Sequence, residues 1–96
     1  MSNPKIQFGQ VFATPGCLAA LEGAGQTVEE FLARHVNGDW GDLSATDAAR
    51  NNAALVDGSR LLSAYLLRTG IEIWIIAEAV NDEGNRVTTY LLPEEY

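Results

Sequence analysis

The sequence is poor in cysteine and in familiar catalytic motifs, and these shortages exclude several kinds of chemistry. Cys17 is the only cysteine, so an intramolecular disulfide and a thiolate metal cluster are impossible, and a reducing compartment suits the chain. Cys17 could be a nucleophile, but no histidine lies near it in the sequence, and a small buried apolar residue is the simpler interpretation. The sequence also has no glycine-rich phosphate loop with a lysine, no Gly-x-Ser-x-Gly elbow and no cluster of metal ligands. We therefore expect no metal and no organic cofactor.

Basic residues are few as well, six against thirteen acidic residues, which gives a formal net charge of −7. Direct binding of nucleic acid requires lysine and arginine to neutralise phosphates, so we do not expect it. The charge instead favours solubility, a basic protein partner, or imitation of the charge of DNA. An ordinary acidic surface without a dedicated partner explains the same count.

Long apolar runs are also absent. No run reaches the roughly 18–20 residues that a membrane-spanning helix needs, and Met1–Lys5 is followed by alternating residues rather than by the apolar core of a signal peptide. The 96 residues, 47% of them hydrophobic and 20% charged, fit one globular domain over residues 1–96. The sequence therefore predicts a single soluble domain in the cytoplasm with no membrane association, and it gives no indication of the oligomeric state.

Capping residues mark three short helices after a first strand. Thr14 precedes a proline suited to a first helical position, Thr27 and Glu30 form a capping box, and Ser44 opens the third helix. The predicted strand covers residues 6–13, and the predicted helices cover 17–22, 28–36 and 45–56. Glycines at 23, 25, 38 and 58 are expected to end the helices.

Three strands are predicted in the second half of the chain, over 60–67, 71–78 and 86–92. Strands joined by short turns are antiparallel neighbours. In the segment 71–78 the odd-numbered residues are predicted to face the core, and Trp74 the other side. The predicted fold is α+β: one N-terminal strand, three short helices, then a three-stranded antiparallel meander, with the helices on one face of a three- or four-stranded sheet. The place of the first strand in that sheet is left open.

The connector over residues 35–43 carries the densest set of candidate binding residues. His35, the only histidine, is the only side chain that titrates near neutrality without help, and it lies on the inward side of the second helix. It could be a general base, or a partly buried residue that hydrogen-bonds a carbonyl or carboxylate. Asp39 and Trp40 could hold a ligand between carboxylate and indole. Alternatively they form a structural plug, in which Trp40 fills the gap between helices and sheet and Asp39 caps a turn.

Other candidate binding residues lie on the third helix and on the strands. Asp47 and Asn51 are four residues apart and share a helix face, so they could bind a metal or a partner's guanidinium. Two such groups are too few for a defined metal site, and helix capping already explains Asp47. The candidate binding set is His35, Asp39, Trp40, Asp47, Asn51, Arg60 and Tyr65, and no metal site is predicted.

Polar residues on adjacent predicted strands suggest a catalytic alternative. Small metal-independent ribonucleases combine a base, a cation for the phosphate and hydroxyls that position it. His35, Arg60, Tyr65 and Thr88 supply those groups, with Ser63 and Thr89 nearby. The signal is weak because such residues occur on most sheets.

Several segments together resemble a family of short bacterial proteins carried by plasmids and other mobile elements. The string Arg-His-x-x-Gly-Asp-Trp-Gly over residues 34–41 is fairly specific to it. The similarity covers nearly the whole chain through the segments 8–16, 31–35, 38–43, 60–65, 74–76 and 88–96, together with Asn51. Members often carry the label "type I restriction endonuclease subunit M". A methyltransferase needs a Rossmann domain for its cofactor and an Asn-Pro-Pro-Tyr-like loop, and this chain has neither. The resemblance therefore implies the genomic company of restriction or other defence systems.

Two functional hypotheses follow. The first is a non-enzymatic protein-interaction module that modulates a host defence system of restriction or CRISPR type and binds a basic or nucleic-acid-binding protein; its carboxylates should then cluster on one face. The alternative is a small ribonuclease-like or toxin-like protein, which requires His35, Arg60, Tyr65 and Thr88 to lie within one cleft. The net charge of −7 disfavours the alternative because RNA must be attracted. We therefore favour the interaction hypothesis.

Overall fold

A computed structural model describes residues 10–82 and 84–96 of the chain. The elements in chain order are β1 (Val11–Ala13), α1 (Pro15–Ala24), α2 (Val28–Val36), α3 (Ala45–Asp57), β2 (Leu61–Leu66), β3 (Glu72–Ala77), β4 (Thr88–Leu91) and a 3-10 turn (Pro93–Glu95). The described residues are therefore α+β, as the sequence predicts. Residues 6–9 of the predicted first strand lie outside the described residues.

The sheet is mixed and has the strand order β1-β4-β3-β2. Strands β2, β3 and β4 form the predicted antiparallel meander. Strand β1 pairs with β4 in parallel, with Val11 opposite Thr88 and Ala13 opposite Tyr90. The predicted arrangement is thus incomplete: the first strand joins the meander and makes its sheet mixed, with the three helices inside the long connection that a parallel pair requires.

Each helix begins at the side-chain cap that the sequence predicts. The hydroxyl oxygens of Thr14, Thr27 and Ser44 each accept a hydrogen bond from the backbone N–H three residues later, at 3.1, 3.2 and 3.1 Å. Two details differ from the prediction. Helix α1 continues through Gly23 as far as Ala24, and the Glu30 carboxylate accepts a hydrogen bond from Gln26 Nε2 at 2.9 Å, so the reciprocal half of the capping box is not formed.

The three helices pack on one face of the sheet and enclose two adjoining hydrophobic clusters. In one cluster Cys17, Leu21 and Phe31 from α1 and α2 contact the sheet; in the other, Trp40 and Ala54 do so from the connector and α3. The sheet residues on this face are buried: Leu61, Ser63, Tyr65, Ile73, Ile75, Ala77, Thr88 and Tyr90. The predicted alternation along β3 is therefore confirmed at residues 73, 75 and 77, but not at Ile71, which precedes the strand and is 43% exposed.

The opposite side of the sheet, which we call the open face, is largely apolar. It is formed by the even-numbered residues of β2 and β3 and their β4 neighbours: Leu62, Ala64, Leu66, Glu72, Trp74, Ile76, Thr89 and Leu91. An antiparallel sheet with helices on one side usually presents polar residues on the other. The chain beyond β4 covers part of this face, because Tyr96 lies edge-on to Trp74 with ring centroids 5.8 Å apart.

Strand β2 is at the edge of the sheet, yet the outer backbone groups of Leu62 and Ala64 are occupied. The Asn51 side chain acts as a short neighbouring strand: Nδ2 donates to the Leu62 carbonyl at 2.5 Å, and Oδ1 accepts from the Leu62 N–H at 3.1 Å. One step further along β2, the Ala64 N–H donates to the Trp40 carbonyl at 3.0 Å, and the Ala64 carbonyl accepts from the Asp42 N–H at 2.7 Å. These contacts protect the edge from pairing with another chain.

Candidate functional site

Asp39, a candidate binding residue, is occupied by contacts within the chain. Its Oδ2 accepts a hydrogen bond from Arg34 Nε at 2.7 Å, and its Oδ1 accepts from the Gly41 N–H at 3.1 Å. The hydrogen bond from Arg34 is the main cause that lowers the pKa of this carboxyl. The Asp39 carbonyl accepts from the Tyr65 hydroxyl at 2.6 Å. Asp39 therefore stabilises the connector and joins it to β2.

Trp40 lies inside the protein, where the plug interpretation places it. Its side chain packs with Val36, Ala54 and Leu61, and the residue is only 7% exposed. The indole Nε1 donates to Asn52 Oδ1 at 3.2 Å. Because the indole is enclosed by its neighbours, a ligand between Asp39 and Trp40 would require the connector to open.

His35 is completely buried between α2 and the sheet. Its Nδ1 lies 2.6 Å from the Ser63 hydroxyl oxygen, and its Nε2 has no hydrogen-bond partner among the residues that the structure describes. Burial lowers the pKa of His35 from 6.5 to about 4, and the positive charge of Arg86 adds to the effect. The imidazole is therefore neutral at pH 7 and sealed from solvent, which does not suit a base that acts on a soluble substrate.

The buried imidazole predicts a pH dependence of stability. His35 takes up a proton near pH 6.5 in the unfolded chain but only near pH 4 in the folded one. Between these values the unfolded state binds the proton and the folded state does not, so the free energy of unfolding should fall as the pH drops, by about 3 kcal/mol in all. Urea unfolding at pH 7 and pH 4 measures this loss. In His35→Gln the loss of unfolding free energy between pH 7 and pH 4 should be smaller by about 3 kcal/mol. The same loss in the variant as in the parent protein would contradict the assignment of the pH dependence to His35.

Two buried hydroxyls on the helix-covered face of the sheet should respond differently to removal. Within residues 10–82 and 84–96 the Thr88 hydroxyl oxygen has no hydrogen-bond partner, so Thr88→Val should leave stability unchanged or raise it by up to about 1 kcal/mol. Ser63→Ala deprives His35 of its partner at Nδ1 and should cost about 1–3 kcal/mol. Urea unfolding of the two variants tests the contrast, and a larger loss for Thr88→Val than for Ser63→Ala would contradict it.

Arg86 is a buried cation that sequence reasoning did not single out. The residue is 4% exposed, and its guanidinium donates to the carbonyls of Ser59 at 2.5 Å, Glu78 at 3.2 Å and Ala54 at 3.4 Å. Burial lowers its pKa. Since the Ala54 carbonyl belongs to the last turns of α3, the guanidinium complements the negative end of the helix dipole. Its position after a polar turn gave no sign of burial.

The four residues of the catalytic alternative do not come together. His35 and Thr88 are fully buried on the helix-covered face. Arg60 is on the open-face side, with Nε 3.1 Å from Glu78 Oε1 and Nη1 donating to the Tyr96 hydroxyl at 2.9 Å. The sheet therefore separates the predicted cation from the predicted base, and the single cleft that the alternative requires is not formed.

The open face instead contains a groove of about 350 Å³. Its lining consists of Leu61, Leu62, Trp74, Ile76, Tyr96, Arg60, Arg50, Asp47 and Asn51. Arg60, Asp47 and Asn51 are candidate binding residues from the sequence. The apolar floor of the groove, formed by Leu62, Trp74 and Ile76, was not predicted. The signal was that Leu62, Trp74 and Ile76 all share the face away from the predicted core, although that face of an antiparallel sheet usually meets water.

Asp47 and Asn51 line this groove, but neither is set up as a metal ligand. Oδ1 of Asp47 lies 3.7 Å from Nη1 of Arg50, and the side-chain amide of Asn51 is hydrogen-bonded to the Leu62 backbone. Among the described residues, no group of three or more His, Cys, Asp or Glu side chains is placed to hold a metal ion.

Comparisons with protein-family models, with curated proteins and with solved structures find no match for this chain. Within residues 10–82 and 84–96, no helix combines the length and the apolar character needed to cross a bilayer.

Proposed function

We propose that this protein is a non-enzymatic protein-interaction module that binds its partner through the open face of the sheet. One contrast carries the proposal. The only histidine, His35, is fully buried, whereas Trp74 and Leu62 line an accessible groove. Apolar surface beside a few charged groups is the usual composition of a recognition site.

The charge of the chain bears on the kind of partner. The net charge is −7, which favours association with a basic or nucleic-acid-binding protein. The clustering of carboxylates on one face, which the sequence analysis expects of this hypothesis, is not found among the described residues: Glu29 and Glu30 lie on α2, while Glu72 and Glu78 lie on the open-face side. The attraction would then be diffuse, so it would increase the rate of encounter and weaken with salt. In this proposal the partner belongs to a restriction-type or CRISPR-type defence system, in line with the family resemblance.

Partner capture from a host extract tests this function. The immobilised protein should retain a basic or defence-related protein, which mass spectrometry identifies, and the complex rebuilt from purified components should weaken at high salt. Trp74→Ala should abolish the interaction. Leu18→Ser, which changes an exposed apolar residue on α1, serves as the control and should leave it intact.

Two results would contradict the proposal. One is that no basic or defence-related protein is retained above the level of an unrelated acidic protein of the same size. The other is that the purified protein turns over RNA or a nucleotide and loses this activity on His35→Gln. The second result would restore the catalytic alternative despite the separation of its residues.

A further inference from the structure

The groove on the open face differs in charge from the rest of the protein. Its lining contains two arginines, Arg50 and Arg60, against one aspartate, Asp47, and Glu78 outside the lining lies 3.1 Å from Arg60. The groove is therefore close to neutral, whereas the whole chain has a formal net charge of −7. The two arginines belong to different elements, one on α3 and one just before β2, so only the fold brings them together. A site in which positive groups border an apolar floor favours a ligand that is apolar and negatively charged at one end.

The two arginines have different roles in the groove. Arg60 is held in place, because its guanidinium contacts Glu78 and the Tyr96 hydroxyl and lies 5.2 Å from the centroid of the Tyr96 ring. Arg50 is loosely held: its side chain is 78% exposed, and its nearest carboxylate, on Asp47, is 3.7 Å away. Exposed pairs of this kind contribute little stability, so Arg50 can exchange Asp47 for a carboxylate of a ligand.

An exposed apolar residue lies on the same face of β2 outside the groove. Leu62 and Trp74 lie in the groove, and Leu66, further along β2 on the same side, is 57% exposed. Four residues of a strand span about 13 Å, which suits an extended peptide segment better than a compact small molecule. The segment cannot pair as an extra strand with Leu62 and Ala64 of β2, because Asn51, Trp40 and Asp42 occupy the outer backbone groups of those two residues. It would bind through its side chains.

We infer that the groove binds an apolar–acidic peptide segment of the partner protein, with large apolar side chains on Leu62, Trp74 and Ile76 and a carboxylate on Arg50. This inference rests on the proposed function and specifies its contact. It agrees with a basic partner, because the net charge of a partner governs long-range attraction while a few side chains govern the docked contact. A partner with overall positive charge and one acidic docking segment satisfies both conditions.

A titration with two short peptides tests the inference. The probes are Ac-Leu-Phe-Glu-Glu-NH2 and Ac-Leu-Phe-Lys-Lys-NH2, which share the apolar pair and differ in charge. Followed by NMR, the acidic peptide should shift the Leu62 and Ile76 amide signals and the Trp74 indole signal, and it should bind the groove about tenfold more tightly than the basic one. This preference opposes the one that a net charge of −7 would impose on any charged peptide.

A matched pair of charge reversals separates the local contact from the general field. Arg50→Glu should weaken the acidic peptide about tenfold. Arg68→Glu makes the same change of charge at an exposed arginine outside the lining and should weaken it only about twofold. Equal effects of the two reversals, tighter binding of the basic peptide, or no shift at the groove with millimolar peptide would each overturn the inference. A captured partner that binds both variants equally would overturn it while leaving the interaction function intact.

Discussion

Gly41→Ala is expected to lower the free energy of unfolding by about 3–5 kcal/mol, through backbone strain and two lost backbone hydrogen bonds. Gly41 has a φ of +77°, a conformation that costs other residues about 1–2 kcal/mol. A Cβ at this position would overlap the carbonyl oxygen of Ala64 and lie 2.7 Å from Cδ1 of Tyr65. The connector would have to leave β2 and give up its hydrogen bonds to Ala64.

Thermal and urea unfolding measure this loss, and Gly70→Ala is the matched control. Gly70 also has a positive φ, +91°, but a Cβ there would meet no atom of the described part of the chain within 4 Å. Gly70→Ala should therefore cost only the strain of about 1–2 kcal/mol, whereas Gly41→Ala should lower the melting temperature by at least about 15 °C. Similar losses for the two variants would show that the close approach of Gly41 to β2 is not formed in solution.

Asn51→Ala is expected to cost about 2–4 kcal/mol, because it leaves the N–H and the carbonyl of Leu62 without partners. Asn51→Asp should also destabilise the protein, since a carboxylate can still accept from the Leu62 N–H but repels the Leu62 carbonyl oxygen. Urea unfolding gives the size of each loss. Hydrogen exchange locates it, because protection of the Leu62 amide should fall selectively.

Asn52→Ala provides the control for this prediction. Asn52 is exposed and accepts one hydrogen bond, from the Trp40 indole at 3.2 Å, so its replacement should cost about 1 kcal/mol and leave the Leu62 amide protected. If Asn51→Ala unfolds no more easily than Asn52→Ala, the Asn51 side chain does not serve as a neighbouring strand for β2.

The parts of the fold that depend on neighbouring residues could be predicted from the sequence. The capping side chains of Thr14, Thr27 and Ser44 accept hydrogen bonds from N–H groups three residues away. The helix starts could therefore be predicted without knowledge of the fold. The alternation of buried and outward-facing residues along β3 could be predicted as well, because it depends only on neighbouring residues. The pairing of β1 with β4 could not be predicted, because it joins distant parts of the chain. The contact of Thr14 with Glu95, at 2.6 Å, could not be predicted for the same reason.

The candidate site could be predicted only in part, because the candidate residues lie on opposite sides of the sheet: His35 is on the helix-covered face and Arg60 is on the open-face side. The residues with familiar chemistry, His35 and Asp39, lie close together in the sequence. In the structure both make hydrogen bonds within the chain. The groove is lined by both Arg50, on α3, and Trp74, on β3. The residue spacing within either element does not reveal that these two elements border one groove. The groove that remains on the open face between α3 and the C-terminal turn, rather than any motif, indicates where binding should occur.

The central claim is that a partner docks on the open face and leaves the helix-covered face untouched, and the two tryptophans report on these two faces. Trp74 lies in the groove, and Trp40 is enclosed in the connector. In protein labelled with 5-fluorotryptophan, adding the partner captured from the host should shift or broaden the Trp74 fluorine signal far more than the Trp40 signal. A response confined to Trp40 would place binding at the connector and contradict the account.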